Sequence, residues 1–353
     1  MNERQESSAL LQFDHLSTHR YRVYLPGALS SQAPREGALL RVEWRLAETN
    51  FLPGWGYADL MAWPELGDLS LEEECLAIIR GSPTSLGLRA LAMSQLDAQA
   101  RLERRSLWQQ TPEPPRSHYL AGSVEDLLTL DYSSLARRGF QTVKVKAAKT
   151  LNLTQAKAIL QASSTALLGH DLKLRVDFNG SASLDLLSAL LSELEPSRFE
   201  WLDFLEDPFS AESLDEWITL KHRFPQVRLF VDRAETPKDD ALLELADGWV
   251  LKPALQDPLF WIHRAQGKPF CFTQYLGHAV GAAWASWYAA RTASGSAIDS
   301  GLLYESRIDG ESEFFSKSIG SESACFETGP LRKGDGIGWT DTDWNSLSWS
   351  PWK

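Results

Sequence analysis

From Ser117 onward the chain repeats one unit, a short apolar run followed by a stretch of helical periodicity. The apolar runs are Ser117–Ala121, 139–147, Leu172–Asp177, Phe204–Glu206, Val227–Asp232, Trp249–Lys252, Phe270–Thr273 and Ala297–Asp299. Between them, helices are predicted over Ser123–Arg138, Thr154–Leu168, Ser183–Leu194, Ser213–Arg223, Pro237–Ala246, Asp257–Arg264 and Val280–Thr292. Strand and helix alternate about eight times, in units of roughly 20–35 residues, which argues for parallel strands and, at that count, for a closed β/α barrel over an open sheet.

The sharpest of these runs is Val143-Lys144-Val145-Lys146. Side chains alternate faces along a strand, so both lysines share one face and both valines the other. An amphipathic edge strand reads the same way, and what sets this run apart is the four apolar runs that follow. They end in Asp177, Glu206, Asp232 and Lys252, at gaps of 31, 29, 26 and 20 residues counting from Lys146. These are βα-unit spacings, and they predict one residue at the same level of each successive strand. Groups at the carboxyl ends of barrel strands face the active site. Asp177, Glu206 and Asp232 would then converge, and three carboxylates share a small volume only if a cation compensates them. Oxygen-only ligands suit a hard ion, Mg²⁺ first among them. Lys146 and Lys252 would flank it. Taken singly, each residue has an ordinary role, Asp177 in an Asp-Phe-Asn-Gly turn and Glu206-Asp207-Pro208 as a strand stop. As an ordered set they point to a site.

Upstream, Tyr21–Leu25 and Ala38–Trp44 read as antiparallel strands. The run Phe51–Leu60 is rich in Gly and aromatics and reads as a loop, either a turn with a hydrophobic anchor or a lid over the site. Helices follow over Ser70–Gly81 and Thr84–Trp108, and the prolines at 112, 114 and 115 stop them. The domain boundary is placed there, with residues 1–112 as an α+β capping domain and 113–309 as the barrel. A Gly-, Ser- and Trp-rich tail, 310–353, is expected to pack back on the first domain. Net charge is −12, which argues against nucleic acid or an anionic membrane surface as partner. Three widely spaced cysteines offer neither a disulfide framework nor a thiolate metal site. No secretory leader pattern opens the chain and no apolar run spans a bilayer, so a cytoplasmic protein is expected. Oligomeric state is left open, and a monomer is compatible with the sequence.

The set Lys144-x-Lys146, Asp177-Phe178-Asn179, Glu206-Asp207-Pro208, Asp232 and Lys252-Pro253 resembles the enolase superfamily, its muconate-lactonizing group in particular. Two local stretches resemble the o-succinylbenzoate synthases within that group, namely Gly54–Leu60 with Trp63–Gly67, and Val250–Pro253. The resemblance implies a TIM-type barrel with an N-terminal capping domain and a Mg²⁺-dependent lyase. Its substrate would be a small carboxylate, a succinyl-hydroxycyclohexadiene carboxylate dehydrated in menaquinone biosynthesis. Lys146 would be the base and Lys252 the cation that steadies the anionic intermediate. Lys144 would help depress the pKa of Lys146. Asp177, Glu206 and Asp232 would hold the metal, and Asn179, Thr273, Gly54 and Tyr57 would contact substrate. Two departures stand out: Arg233 follows the third metal ligand where the group has Glu, and the loop 273–281 is not Ser-rich. That loop is expected to hold the succinyl end through backbone N–H groups, with Gly54–Asp59 closing over the site. An N-acylamino acid racemase or dipeptide epimerase of the same superfamily is the alternative, with Lys146 and Lys252 as opposed bases. Against both stands a non-catalytic barrel that only binds a ligand. His278 reads as a satisfied loop histidine, and Arg175 as half of a structural ion pair.

Overall fold

The computed structural model describes residues 13–24, 34–45, 53–123, 125–147, 157, 164–193, 196–232, 240–264, 267–292, 297–303, 307–309 and 323–352. Strands β1 (Phe13–Tyr24), β2 (Arg35–Arg45) and β3 (Pro53–Met61) form an antiparallel meander. Helices α1 (Leu71–Ile79) and α2 (Ser85–Leu102) follow. A reciprocal Ser70–Glu73 capping box starts α1, and Thr84 caps α2, so each helix begins where its orphan N–H groups find an oxygen. The stretch around Gly54 is therefore strand rather than loop. Its glycines serve packing: a Cβ on Gly56 would sit 1.7 Å from the Ser94 carbonyl oxygen, so only glycine lets α2 lie this close on β3.

After β4 (Tyr119–Ala121) come α3 (Tyr132–Arg137), β5 (Thr142–Lys146), β6 (Lys173–Asp177), α4 (Leu184–Glu193) and β7 (Leu202–Glu206). They are followed by α5 (Leu214–Arg223), β8 (Leu229–Asp232), α6 (Asp240–Leu245), β9 (Gly248–Leu251), α7 (Pro258–Arg264), β10 (Phe270–Phe272) and α8 (Ala279–Arg291). Among the described residues, β4 to β10 pair in sequence order as one parallel sheet. Ser123–Arg138 is not one helix. A 3₁₀ turn over Glu125–Leu128 gives way to α3, because Asp131 accepts from the Ser134 N–H and starts a new helix there. Most of the helix expected over Thr154–Leu168 lies outside the described residues.

The apolar sides of α4 (Leu187, Leu190, Leu191) and α5 (Trp217, Leu220) are buried, while the other sides face water. Inside the curl, Phe204, Phe230, Val250 and Cys271 form their own core, with Phe204 stacked on Phe230 at 3.9 Å. Each lies two residues before a residue at a strand end: Glu206, Asp232, Lys252 and Thr273. The period-two pleat thus puts an apolar floor under a polar rim. Residues 297–301 touch both edges of the sheet. The Ile298 and Gly301 N–H groups donate to β10 carbonyls, and the His118 N–H donates to Ser300 O at 2.8 Å.

The C-terminal part returns to the meander. Strands β11 (Arg307–Asp309) and β12 (Ser350–Pro351) pair with β1, and α9 (Asp341–Asn345) places Trp344 flat on Tyr57 at 3.9 Å. The tail also reaches the parallel sheet's side, since Ser117 N–H donates to Ala324 O. Seven large side chains with almost no exposure are Trp44, Trp108, Trp201, Trp217, Trp284, Trp339 and Trp344, so tryptophan fills core and seams. Among the described residues no helix is long and apolar enough to cross a membrane.

Candidate active site at the mouth of the parallel sheet

A cavity of about 280 Å³ opens at the carboxyl ends of the parallel strands. Lys144, Lys146, Asp177, Asp207, Asp232 and Lys252 form its ionic side. Glu206 is buried behind them. Lys146, Asp177 and Glu206 are lateral neighbours, as strand pairing directly gives. The level then steps: Glu206 pairs with Phe230, two residues before Asp232, and Asp232 pairs with Val250, two before Lys252. The expectation of one common level is corrected to this extent. Strands tilted in a curled sheet must be staggered, and the stagger falls on these two boundaries.

Lys144 lies between two carboxylates, 2.6 Å from Glu206 Oε1 and 3.0 Å from Asp177 Oδ2. Lys252 pairs with Asp232. Lys146 has no hydrogen bond or ion pair among the described residues. Burial opposes the Lys144 ammonium, but Asp177, Glu206 and Asp232 outweigh it and hold the pKa above the lysine norm. For Lys146 burial prevails; Asp177 opposes it, while Lys144 and Lys252 add to the depression. Burial, then Asp177, pushes Glu206 up to about 7. Asp207 is raised well above the carboxylate range by burial and by Asp232, whose N–H it accepts at 2.9 Å. Asp177 goes the other way, since Lys144 and Lys146 overcome its burial.

The three carboxylates predicted as metal ligands are thus neighbours held by ammonium groups. Among the described residues no three of His, Cys, Asp and Glu stand as a group that could hold an ion. The oxygens nevertheless suit a hard divalent cation in kind. Glu206 Oε2 and Asp232 Oδ1 are buried without a hydrogen-bond partner, an expensive state for a carboxylate that a cation would relieve. Arg233 lies outside the described residues.

Asn179 and Thr273 line the cavity. Asn179 adopts a left-handed φ of 47°, and its N–H donates to Asp177 Oδ1 at 3.0 Å, which orients that carboxylate. Gly54 and Tyr57 do not reach it. Gly54 is packed under Leu102 of α2, and Tyr57 is held between Arg101 and Trp344 on the far side of the meander. Strand pairing fixes both in the core, away from the residues that line this cavity. The capping side reaches the cavity through Trp63 and Leu66 instead. Trp63 Nε1 donates to Tyr275 O at 3.0 Å and Tyr275 Oη to Asp68 at 2.7 Å, tying the two sheets together over the site.

Thr273, Gln274, Tyr275 and Leu276 line the cavity, but the loop's far end is already engaged. The His278 N–H donates to Asp59 Oδ2 at 2.9 Å, and His278 Nδ1 caps α8 by accepting from Val280. That N–H is not open to a substrate. Arg175 pairs with Asp203 at 2.7 Å on the floor. The sequence reading left out His118, Asp207, Trp63 and Gln274 as site residues. Asp207, Trp63 and Gln274 were quoted only within longer stretches, and His118 reaches the site through contacts that no local pattern encodes.

Residues 16–100 match the family model for the N-terminal domain of O-succinylbenzoate synthase. An o-succinylbenzoate synthase of Bdellovibrio bacteriovorus is 28% identical over 256 residues, 72% of this chain and 73% of that one. Among solved structures, N-succinyl Arg/Lys racemase from Bacillus cereus superposes with a TM-score of 0.68 at 13% identity, covering 97% of this chain and 100% of that one. Muconate cycloisomerase from Pseudomonas fluorescens gives 0.63 at 18%, with 83% and 87% covered. The L-Ala-D/L-Glu epimerase from Bacillus subtilis gives 0.62 at 17%, with 82% and 89% covered. These structural likenesses concern the fold. The family-model match and the curated relative make the chain similar to the o-succinylbenzoate synthases, and its fold is similar to that of the mandelate racemase/muconate lactonizing enzymes.

Proposed function

We propose that the chain is an o-succinylbenzoate synthase, a lyase that dehydrates a succinyl-hydroxycyclohexadiene carboxylate in menaquinone biosynthesis. In this reading the parallel strands close into a (β/α) barrel, with 297–301 as the last stave. Residues 1–112 cap it, and 310–353 return to the cap. Asp177, Glu206 and Asp232 would hold Mg²⁺, in the places where Lys144 and Lys252 now compensate them. The bound ion would supply Lewis-acid stabilisation of the carboxylate's developing charge.

The observation that carries the reading is Lys146, a cavity lysine with a depressed pKa and no carboxylate partner, beside two lysines that have one. A free lysine, with pKa about 10.4, is nearly all protonated at neutral pH, so depression is what a base needs. Lys146 takes the proton α to the ring carboxylate. The electron pair moves into the enediolate, Lys252 faces the anion, and the C–O bond to the ring hydroxyl then breaks. Lys146 returns its proton to that oxygen, which leaves as water from an aromatic ring.

The second reading is a racemase or epimerase, the activities of two fold neighbours. It needs Lys252 as an opposing base, and Lys252 is paired with Asp232. Purified protein with Mg²⁺ should convert the diene carboxylate to an aromatic product, followed by ultraviolet absorbance, and Lys146→Ala should abolish this. Inversion of N-succinyl amino acids in polarimetry, without dehydration, would favour the second reading. Neither activity, and no response to Mg²⁺, would leave a binding barrel.

A further inference from the structure

The cavity wall has two unlike arcs. β5 to β9 carry the lysines and carboxylates, while the other side is built from β4, the end of β10 and residues 297–301. Three residues from that second arc meet. A Cβ on Gly301 would come within 2.8 Å of Thr273 Cγ2 and 3.0 Å of His118 Nε2. Gly301 is not in the left-handed region, so its backbone does not demand glycine. What glycine provides is an open cradle between Thr273 and His118.

His118 turns its Nε2 to this cradle, while Thr273 meets it with its methyl and carries its hydroxyl on the same Cβ. His118 Nδ1 lies 3.0 Å from Arg175 Nη1. A guanidinium can only donate, so Nδ1 must accept, and the neutral ring carries its proton on Nε2. Arg175 is itself committed to Asp203 and to the Asp299 carbonyl. Thr273 is 8% exposed, and its Oγ1 is buried with no partner among the described residues. A polar group left so in a native interior calls for a ligand or a water. No lysine or arginine lines this arc, so a carboxylate would be buried there without a free cation. A carbonyl oxygen would meet two donors at no such cost.

We propose that His118 Nε2–H and Thr273 Oγ–H form a second subsite for a neutral carbonyl oxygen on the substrate arm remote from the reacting carboxylate. Resting on the proposed function, that oxygen is the ketone of the succinyl chain. The two residues set specificity for a keto arm and take no part in proton transfer.

The test compares o-succinylbenzoate with its analogue carrying CH₂ in place of the ketone, by titration calorimetry on the full chain with Mg²⁺. Wild type should favour the ketone about tenfold or more, and Thr273→Val should erase most of that preference by weakening the ketone ligand about fivefold to tenfold. The methylene analogue should bind both proteins alike, and Thr273→Ser should keep the preference. His118→Phe should act in the same direction; should it fail to fold, Thr273→Val decides alone. Equal binding of the two ligands by wild type, or an equal loss of both in Thr273→Val, overturns the subsite while leaving the proposed reaction intact. A wild type that neither binds o-succinylbenzoate nor dehydrates the diene carboxylate overturns the functional reading, and the subsite's ligand with it.

Discussion

Two of the buried charge clusters among the described residues are finished to different degrees. At the seam between the meander and the tail, Asp97 accepts from the Tyr57 and Ile337 N–H groups and from Arg101 Nε, at 3.1, 2.6 and 2.7 Å. Arg101 donates in turn to the Asp335 and Trp339 carbonyls and to Asp341. Both carboxylate oxygens of Asp97 are satisfied. At the cavity, Glu206 and Asp232 each keep a bare oxygen and Lys146 keeps no carboxylate. A cluster built for stability closes its hydrogen bonds; one that leaves charges exposed to a small cavity is poised to receive something.

The largest effect should come from Lys146→Ala, which leaves the fold alone and removes the base. Turnover should drop by at least about 10³-fold, within the range that acid–base groups contribute, with the melting temperature nearly unchanged. A matching loss of stability would mean that Lys146 is structural after all. Glu206→Gln should also lose activity. Unlike the wild type, it should gain little melting temperature from added Mg²⁺, because a ligand stabilises only a state that binds it. Without metal it should be no less stable than wild type, since a raised pKa marks a charge the fold bears at a cost.

Asp97→Ala should invert the pattern. Breaking a buried pair by removing one partner costs about 3–5 kcal/mol; here Arg101 keeps only the exposed Asp341 as counter-charge, and the Tyr57 and Ile337 N–H groups lose their acceptor. Chemical denaturation should show that loss, while turnover per folded molecule stays within about twofold. Equal damage to activity would mean that the tail helps to set the site.

How much of this could be read beforehand follows from where the information lies. The strand ends were legible because a lysine or carboxylate closing an apolar run is a local anomaly, repeated at βα spacing. The alternation of strand and helix is local too. Tyr57 was misplaced because its partner Trp344 is nearly the whole chain away. Gly54 and Gly56 were taken for a loop, although their lack of side chain serves the approach of α2, a tertiary reason. His118 gave no signal, since its role depends on Arg175 and Gly301, each on another stave. The split of 123–138 turns on which of two nearby side chains, Ser123 or Asp131, caps the longer helix, and pattern alone does not rank them.

Between the two clusters stands Asp59, which shares a trait with each. Like Asp97 its carboxylate is hydrogen-bonded, accepting from Tyr21 Oη at 2.5 Å and from the His278 N–H. Like Glu206 it is buried with its pKa pushed up to about 7, here by burial against the opposing bonds from Tyr21 and His278. The folded protein therefore holds this proton more tightly than the unfolded chain. Its contribution to stability is full below the unfolded value near 3.8 and is lost as pH rises through about 7. Between pH 5 and pH 8 the loss should amount to roughly 2–3 kcal/mol. Asn at this position can still accept from His278 and can donate to Tyr21 Oη, but it carries no charge. Asp59→Asn should thus match wild type near pH 5, exceed it at pH 8, and flatten the fall in denaturation midpoint between them. Parallel pH profiles for the two proteins would show that Asp59 is ionised throughout at no cost. The seam over the cavity would then belong with the satisfied cluster.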